Sequence, residues 1–379
     1  MLNNFKKALS RDLTNIRGAK TDRKIIVIDS DDWGSIRIPD RAARDTFQGK
    51  GYNIMNNPYC KYDTLANTED LDALFSILRK HKDSKGNHPV FTANTVVANP
   101  DFDAIRNSGF TQYSYKPFTE TLKEYYPAED VFTKWQEGIK ENIFRPQYHG
   151  REHVNVPLWL DTLQRDVKVF REAFDLGFWG VPESLHEKSI KNIQASYNSD
   201  SPDDIAFYEN TIEDGLNLFE KIFGYRSLTF IANNYVWSPK LHPVLKKAGV
   251  LGLQSMRYQK APDSSKPGGI RIMPVHTGKR TAQGQIYLVR NCLLEPAHMP
   301  ESFDDVAECM KEVASAFRFK KPAIISSHRI NYIGAISKDN RERNLKLLDT
   351  LLQKILIKWP DVEFMSSDEL TRLLLENKK

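Results

Sequence analysis

Ile25-Ile26-Val27-Ile28-Asp29-Ser30-Asp31-Asp32-Trp33-Gly34 is an apolar strand running directly into a pair of aspartates, a tryptophan and a glycine. Similar β-rich runs recur along the chain at 89–94, 142–148, 227–232, 250–255, 285–291, 322–327 and, more briefly, 362–366. Between them lie amphipathic stretches at Leu71–Lys80, Leu158–Phe174, Ile212–Phe223, Phe303–Phe317 and Asn344–Lys358. Strands alternating with helices predict parallel pairing through crossover connections. This many units in one chain point to a distorted, TIM-like (β/α)7-8 barrel. In such barrels the reactive side chains collect at the C-terminal ends of the strands.

Asp31 and Asp32 stand at the end of the first strand, His149 at the end of the third, and His328 at the end of Ala323-Ile324-Ile325-Ser326-Ser327. A lone strand-end aspartate is commonly just the cap of the next helix. Three strands ending in metal-binding or acid–base residue types ask for a chemical explanation. His153 follows His149 by four residues. Two imidazoles and a carboxylate can hold a divalent metal with a position left open, and a second carboxylate beside it can take a proton from water.

These residues resemble the motifs of the polysaccharide deacetylase (NodB-homology) family over roughly residues 22–370. Asp31-Asp32-Trp33-Gly34 is similar to its first motif, His149 and His153 to its second, and His328 to its last; 362–370 looks like its final strand and helix. The resemblance implies Asp31 as general base, His328 as general acid, and Asp32, His149 and His153 as ligands of a divalent metal. Zinc is the expected ion, with cobalt, nickel or manganese also suited to such donors. The implied activity is metal-dependent removal of acyl groups from a carbohydrate. Trp33, Tyr235 and Trp237 are candidates for stacking on sugar, with burial in the core as the alternative for each. The family's arginine after its middle strand is missing from Phe230-Ile231-Ala232-Asn233-Asn234-Tyr235, and Leu253-Gln254-Ser255 lacks the aspartate motif expected after the next strand. Arg145, which shares strand parity with His149, and Arg290 are the candidates to replace that arginine. In Arg290–His298, Asn291 or Glu295 reaches the pocket or the segment is a turn before Pro296. His276 reads as a loop residue.

The 379 residues, 40% hydrophobic and 27% charged with a net charge of +5, suit a globular chain and give no reason to expect a nucleic-acid partner. Three widely spaced cysteines make neither a disulfide framework nor a thiolate metal site. No apolar run is long enough to span a bilayer and no secretory h-region opens the chain, so a cytoplasmic location is expected. Residues 1–20 form a basic amphipathic arm, in which Leu2, Phe5, Leu9, Leu13 and Ile16 recur at helical spacing among Lys6, Lys7, Arg11 and Arg17. Either this helix packs across the barrel floor or residues 1–18 lie on the inner membrane surface. The barrel domain is expected over 21–379, with insertions near 183–208 and 257–283 that either rim the site or are surface excursions.

Competing readings remain. His149-Gly150-Arg151-Glu152-His153 matches the H-x-x-E-H pattern of a metalloprotease, which requires a helix that Gly150 and Pro157 oppose. A non-catalytic glycan-binding barrel in polysaccharide biosynthesis, or hydrolysis of a cyclic amide or glycosidic bond, would also use such a scaffold.

Overall fold

The computed structural model describes residues 2–376 except 188, 189, 191, 267 and 268, and for residues 2–6 the backbone alone. Each of the eight expected runs forms a strand, and Cys292–Leu293 adds a ninth just past the sixth run. They are β1 (Lys24–Trp33), β2 (Phe91–Thr95), β3 (Phe144–Tyr148), β4 (Thr229–Phe230), β5 (Gly252–Ser255), β6 (Ile286–Val289), β7 (Cys292–Leu293), β8 (Ala323–His328) and β9 (Val362–Met365). All are parallel and follow the order β6-β5-β4-β3-β2-β1-β8-β7, a curled sheet that makes a distorted (β/α)7-8 barrel. Strand β9 pairs with the lower half of β1 at Lys24–Val27, while β2 pairs with its upper half from Ile28 onward.

The two sheet edges, β6 and β7, are successive parts of one run. Below the joint Val289 pairs with Ser255 of β5; above it Cys292 pairs with Ile325 of β8. At the joint itself Arg290 N donates to Ser255 O at 2.9 Å and Asn291 N to Ile324 O at 3.1 Å. One segment thus changes partner between Arg290 and Asn291, with no crossover helix between its halves.

Alternation along β1 sorts its side chains between two environments. Ile26 and Ile28 face the outer layer, packing with Phe75, Phe144, Leu348 and Leu352. Ile25 and Val27 face inward onto Ile286, Leu288 and Ile324, closed from below by Leu370 and Leu374 of the C-terminal helix Ser367–Glu376. The next inward residues, Asp29 and Asp31, carry the same row up into the pocket. The barrel floor is therefore plugged by the C-terminal helix. The N-terminal helix α1 (Leu2–Ile16) is not across the floor; it lies outside the β6–β7 joint, where Asn291 Nδ2 donates to Asn15 Oδ1 at 2.8 Å.

Two helix boundaries differ from expectation. Residues 202–208, placed in the first insertion, are the opening turns of helix Pro202–Phe223, whose signal is Ser201 as N-cap, Pro202 in the first turn and acids behind it. The stretch Leu158–Phe174 is two helices, Val156–Gln164 and Lys168–Phe174, parted at Asp166, which takes a φ of 55°. The second insertion contains an antiparallel hairpin, Tyr258–Pro262 with Ile270–Pro274.

Candidate active site

Two consecutive residues of a regular strand point to opposite faces, yet Asp31 and Asp32 are both buried at the same pocket. Pairing between β1 and β2 slips between Ser30 and Trp33, and Asp32 takes a left-handed φ of 71°. This irregularity turns Asp32 back toward Asp31. Gly34, with φ 78°, makes the turn possible, since a Cβ there would lie 2.4 Å from Val96 O.

Asp32 meets both histidines through one oxygen. Its Oδ1 lies 3.3 Å from His149 Nε2 and 3.0 Å from His153 Nε2. His149 Nδ1 sits 2.9 Å from Ile231 O, so that nitrogen carries the proton and the Nε2 lone pair faces Asp32. Burial holds His153 down to about 4, leaving it neutral, and its ring stacks on Trp179 with centroids 5.4 Å apart. Despite its burial, Asp32 is held well below the usual carboxylate range, and Arg37 is the permanent cation beside it at 3.2 Å. The ligand atoms of Asp32, His149 and His153 lie within 4.8 Å of one another and all three residues are buried. Two imidazoles whose Nε2 atoms converge on one carboxylate are a donor set that fits a divalent cation. Asn233 Nδ2 also approaches His149 Nε2, at 3.2 Å.

Asp31 is gripped by Arg290. Nη1 donates to Oδ2 at 2.7 Å and Nη2 to Oδ1 at 2.6 Å, while Asn94 Nδ2 adds a third bond to Oδ1 at 2.8 Å. Burial would raise the pKa of Asp31, but Arg290 outweighs it and holds the group at about 2. The same guanidinium lies 3.5 Å from Asp29, which burial pushes up to about 6. Gln254 completes the support, accepting from Arg290 Nη2 at 2.8 Å and exchanging bonds with Asn94. Across the pocket, His328 Nε2 stands 3.7 Å from Asp31 Oδ2 and its Nδ1 bonds Glu295. Glu295 is itself fixed by Asn331 Nδ2 at 2.8 Å. The rings of His328, His298 and Tyr59 cluster together, with His328 5.7 Å from Tyr59 and 6.0 Å from His298 between centroids.

The pocket these residues enclose measures about 270 Å³ and is lined by Asp31, Asp32, Arg37, Tyr59, His149, His153, Tyr235 and His328 among others. It adjoins a larger groove of about 650 Å³ that shares Tyr235 and His328 with it.

Not every candidate reaches this place. Arg145 does point into the barrel, as its parity requires, but four residues below His149; it pairs with Asp368 at 3.1 Å and covers the Tyr225 ring at the floor. Trp33 is a core residue between sheet and helices, edge-on to Phe144 and Trp135, with Nε1 on Ser30 Oγ. Trp237 is likewise core, packed on Phe230 and Tyr287. Tyr235 lines the pocket, its hydroxyl 2.8 Å from Arg290 Nη1, and with Asn234 it adopts left-handed φ values of 58° and 56°. Gly150, with φ 109°, and the irregular backbone through 154 rule out the helix a protease motif needs, and Glu152 is tied to Arg151 at 2.6 Å.

Arg37 was not anticipated. Its Nη2 donates to Asp32 Oδ2 at 3.2 Å and lies 3.4 Å from His153 Nε2, its Nε faces Asp63 at 3.5 Å, and its plane covers Tyr59. Gln194 of the first insertion accepts from Nη1 at 2.6 Å, so this insertion does reach the site. Gly180 leaves room for the side chain, because a Cβ there would sit 2.3 Å from Arg37 Cγ. A basic residue flanked by Ile36 and Ile38 was the available signal.

The fold is a distorted β/α barrel built on one curled parallel sheet. No family model matches the chain, and no curated protein matches it. Among solved structures it is similar to the 4-alpha-glucanotransferase of Thermococcus litoralis (10% identity, TM-score 0.47), covering 94% of this chain but only 41% of that enzyme. It is also similar to a family 4 acetyl xylan esterase of Clostridium thermocellum in complex with cobalt (11% identity, TM-score 0.34, 92% and 91% covered). A polysaccharide deacetylase of Bacillus cereus matches at 15% identity and TM-score 0.29, with 72% of this chain and 65% of that one covered. The chemistry rests on the residues described above.

Proposed function

We propose that this chain is a metal-dependent hydrolase that removes acyl groups, acetyl foremost, from a carbohydrate. The observation that carries this reading is the convergence of three units on one pocket: Asp31 on Arg290, His328 on Glu295, and the Asp32–His149–His153 donor set. Zinc is the ion such donors suit best, and when bound it supplies Lewis acidity that acidifies water and polarises an acyl oxygen. Asp31, ionised throughout the neutral range, accepts the proton of the attacking water. Arg290 and Asn94 hold its two oxygens so that no rotation of the carboxylate is needed. His328 delivers a proton to the departing amine or alcohol, and Glu295 both orients the ring and favours its protonated form. Tyr235 and the groove beyond it are where the sugar would extend. The substrate in this reading is a glycan precursor inside the cell. Glycosidic hydrolysis would call for a second carboxylic acid opposite Asp31, whereas the group opposite is His328.

The test is acetate release from N- and O-acetylated oligosaccharides by zinc-loaded protein. Asp31→Asn is expected to lower release by about 10²–10⁴-fold with metal content unchanged, and Glu152→Gln to leave it nearly unchanged. Equal release by Asp31→Asn would sink the mechanism. A wild-type chain that binds these sugars without releasing acetate would make it a glycan-binding barrel.

A further inference from the structure

Helix α1 docks on the barrel with its polar side. Buried Asn15 donates to Ser315 Oγ at 3.2 Å and accepts from Asn291, Asp12 accepts from Ser315 Oγ at 2.8 Å and pairs with Arg318, and Arg11 lies 3.8 Å from Glu308. Leu9, Leu13 and Ile16, which recur at i, i+4 and i+7, face the opposite way and are 48%, 40% and 51% exposed. A helix that merely covered a core would turn this row inward. Lys7, Arg17 and Lys20 are exposed along the same helix and its exit, and among the described residues no ion pair engages Arg17 or Lys20.

We propose that α1 docks the chain onto an anionic lipid surface, with Leu9, Leu13 and Ile16 entering the acyl boundary and Arg17 and Lys20 meeting the headgroups. An apolar row rimmed by cations is the pattern of helices that lie in the interfacial plane, and negative headgroups are the complement those cations lack. A second copy is a poorer occupant, because a two-fold contact sets Arg17 and Lys20 near their own images. Three side chains in a single row also fall well short of the roughly 800 Å² per partner that a stable protein interface buries. Through Lys7, Ser10, Arg11 and Thr14 the same helix lines the groove that leads to Tyr235 and His328, so the docking face and the substrate entrance share one element. This inference stands whether or not the pocket hydrolyses acyl groups.

Co-sedimentation of the full chain with vesicles of phosphatidylglycerol and phosphatidylcholine, against phosphatidylcholine alone, tests it. Wild type is expected to pellet with the anionic vesicles and to be released as salt rises. The triple variant Leu9→Ser, Leu13→Ser, Ile16→Ser should bind at least about tenfold more weakly, with an unchanged melting temperature because the docked side of α1 is untouched. Arg17→Glu with Lys20→Glu should weaken binding to anionic vesicles as well. Wild type left in the supernatant, or a triple variant that pellets equally, overturns the proposal. So does a dimer in light scattering that the triple variant dissolves while vesicles capture neither protein.

Discussion

His328 is placed between a carboxylate that orients it and one that needs a partner. Burial by itself lowers the pKa of an imidazole, but Glu295 outweighs that and holds His328 up at about 9. The ring is therefore cationic at neutral pH, the form a general acid requires. The basic limb of the activity profile should lie near 9, and Glu295→Gln should move it toward the ordinary histidine value of about 6.5. A limb unmoved in that variant would remove Glu295 from the role. Because the folded value lies above the unfolded one, the pair's contribution to stability is complete below about 6.5 and fades as pH rises through about 9. Melting temperatures taken from pH 6 to 10 should fall across that window in wild type and less so in Glu295→Gln. At this scale much was legible, since acids and imidazoles at strand ends announce themselves by type and position. Arg37 was not, because what makes it part of the site is contact with Asp32 of β1 and with Asp63 and Gln194 from two separate loops.

At the scale of elements, the joint between β6 and β7 is what brings an arginine onto Asp31. Arg290 falls where one run passes from β5 to β8, and its side chain enters the barrel between Asp29 and Asp31. Arg290→Gln should raise the pKa of Asp31, moving the acid limb of the kcat profile upward, with KM less affected. It should also cost about 3–5 kcal/mol of stability by leaving two buried carboxylates without their counter-ion, read from denaturant unfolding. An unmoved acid limb would mean that Asn94 alone positions Asp31. Gly34→Ala places a Cβ against Val96 O at a left-handed backbone position and should cost about 1–3 kcal/mol. The same substitution should impair metal uptake, since the turn at Gly34 is what swings Asp32 inward; normal uptake in a destabilised variant would separate the two effects. Strand parity put Arg145 on the correct face, but parity says nothing of height. The four-position offset from Arg145 to His149 places the former at the floor, at roughly 3.3 Å per residue.

For the whole molecule, the donor set spans β1 and the loop after β3, so ion binding should couple to folding. We expect about one divalent ion per chain, lost in His149→Ala. At a hundredfold excess over its dissociation constant the ion should stabilise the fold by about 2.7 kcal/mol, seen as a higher melting temperature in zinc than in chelator. The same melting temperature in both, with no ion retained, would leave Arg37 as the sole counter-charge of Asp32. Among the described residues no helix is long and apolar enough to cross a membrane.

The order of strands and helices, and the acid and imidazole residues Asp31, Asp32, His149 and His328 at strand ends, could be read from the chain because both are local properties. Hydrophobic period follows from backbone geometry, and a strand-end position in a β/α barrel is a pocket position whatever the loops do. Which arginine serves Asp31, which helix plugs the floor, which aromatics touch the pocket and which face α1 presents were decided only by tertiary structure. Each depends on the height of a residue in the barrel or on contacts between segments far apart in sequence, and neither quantity is carried by periodicity.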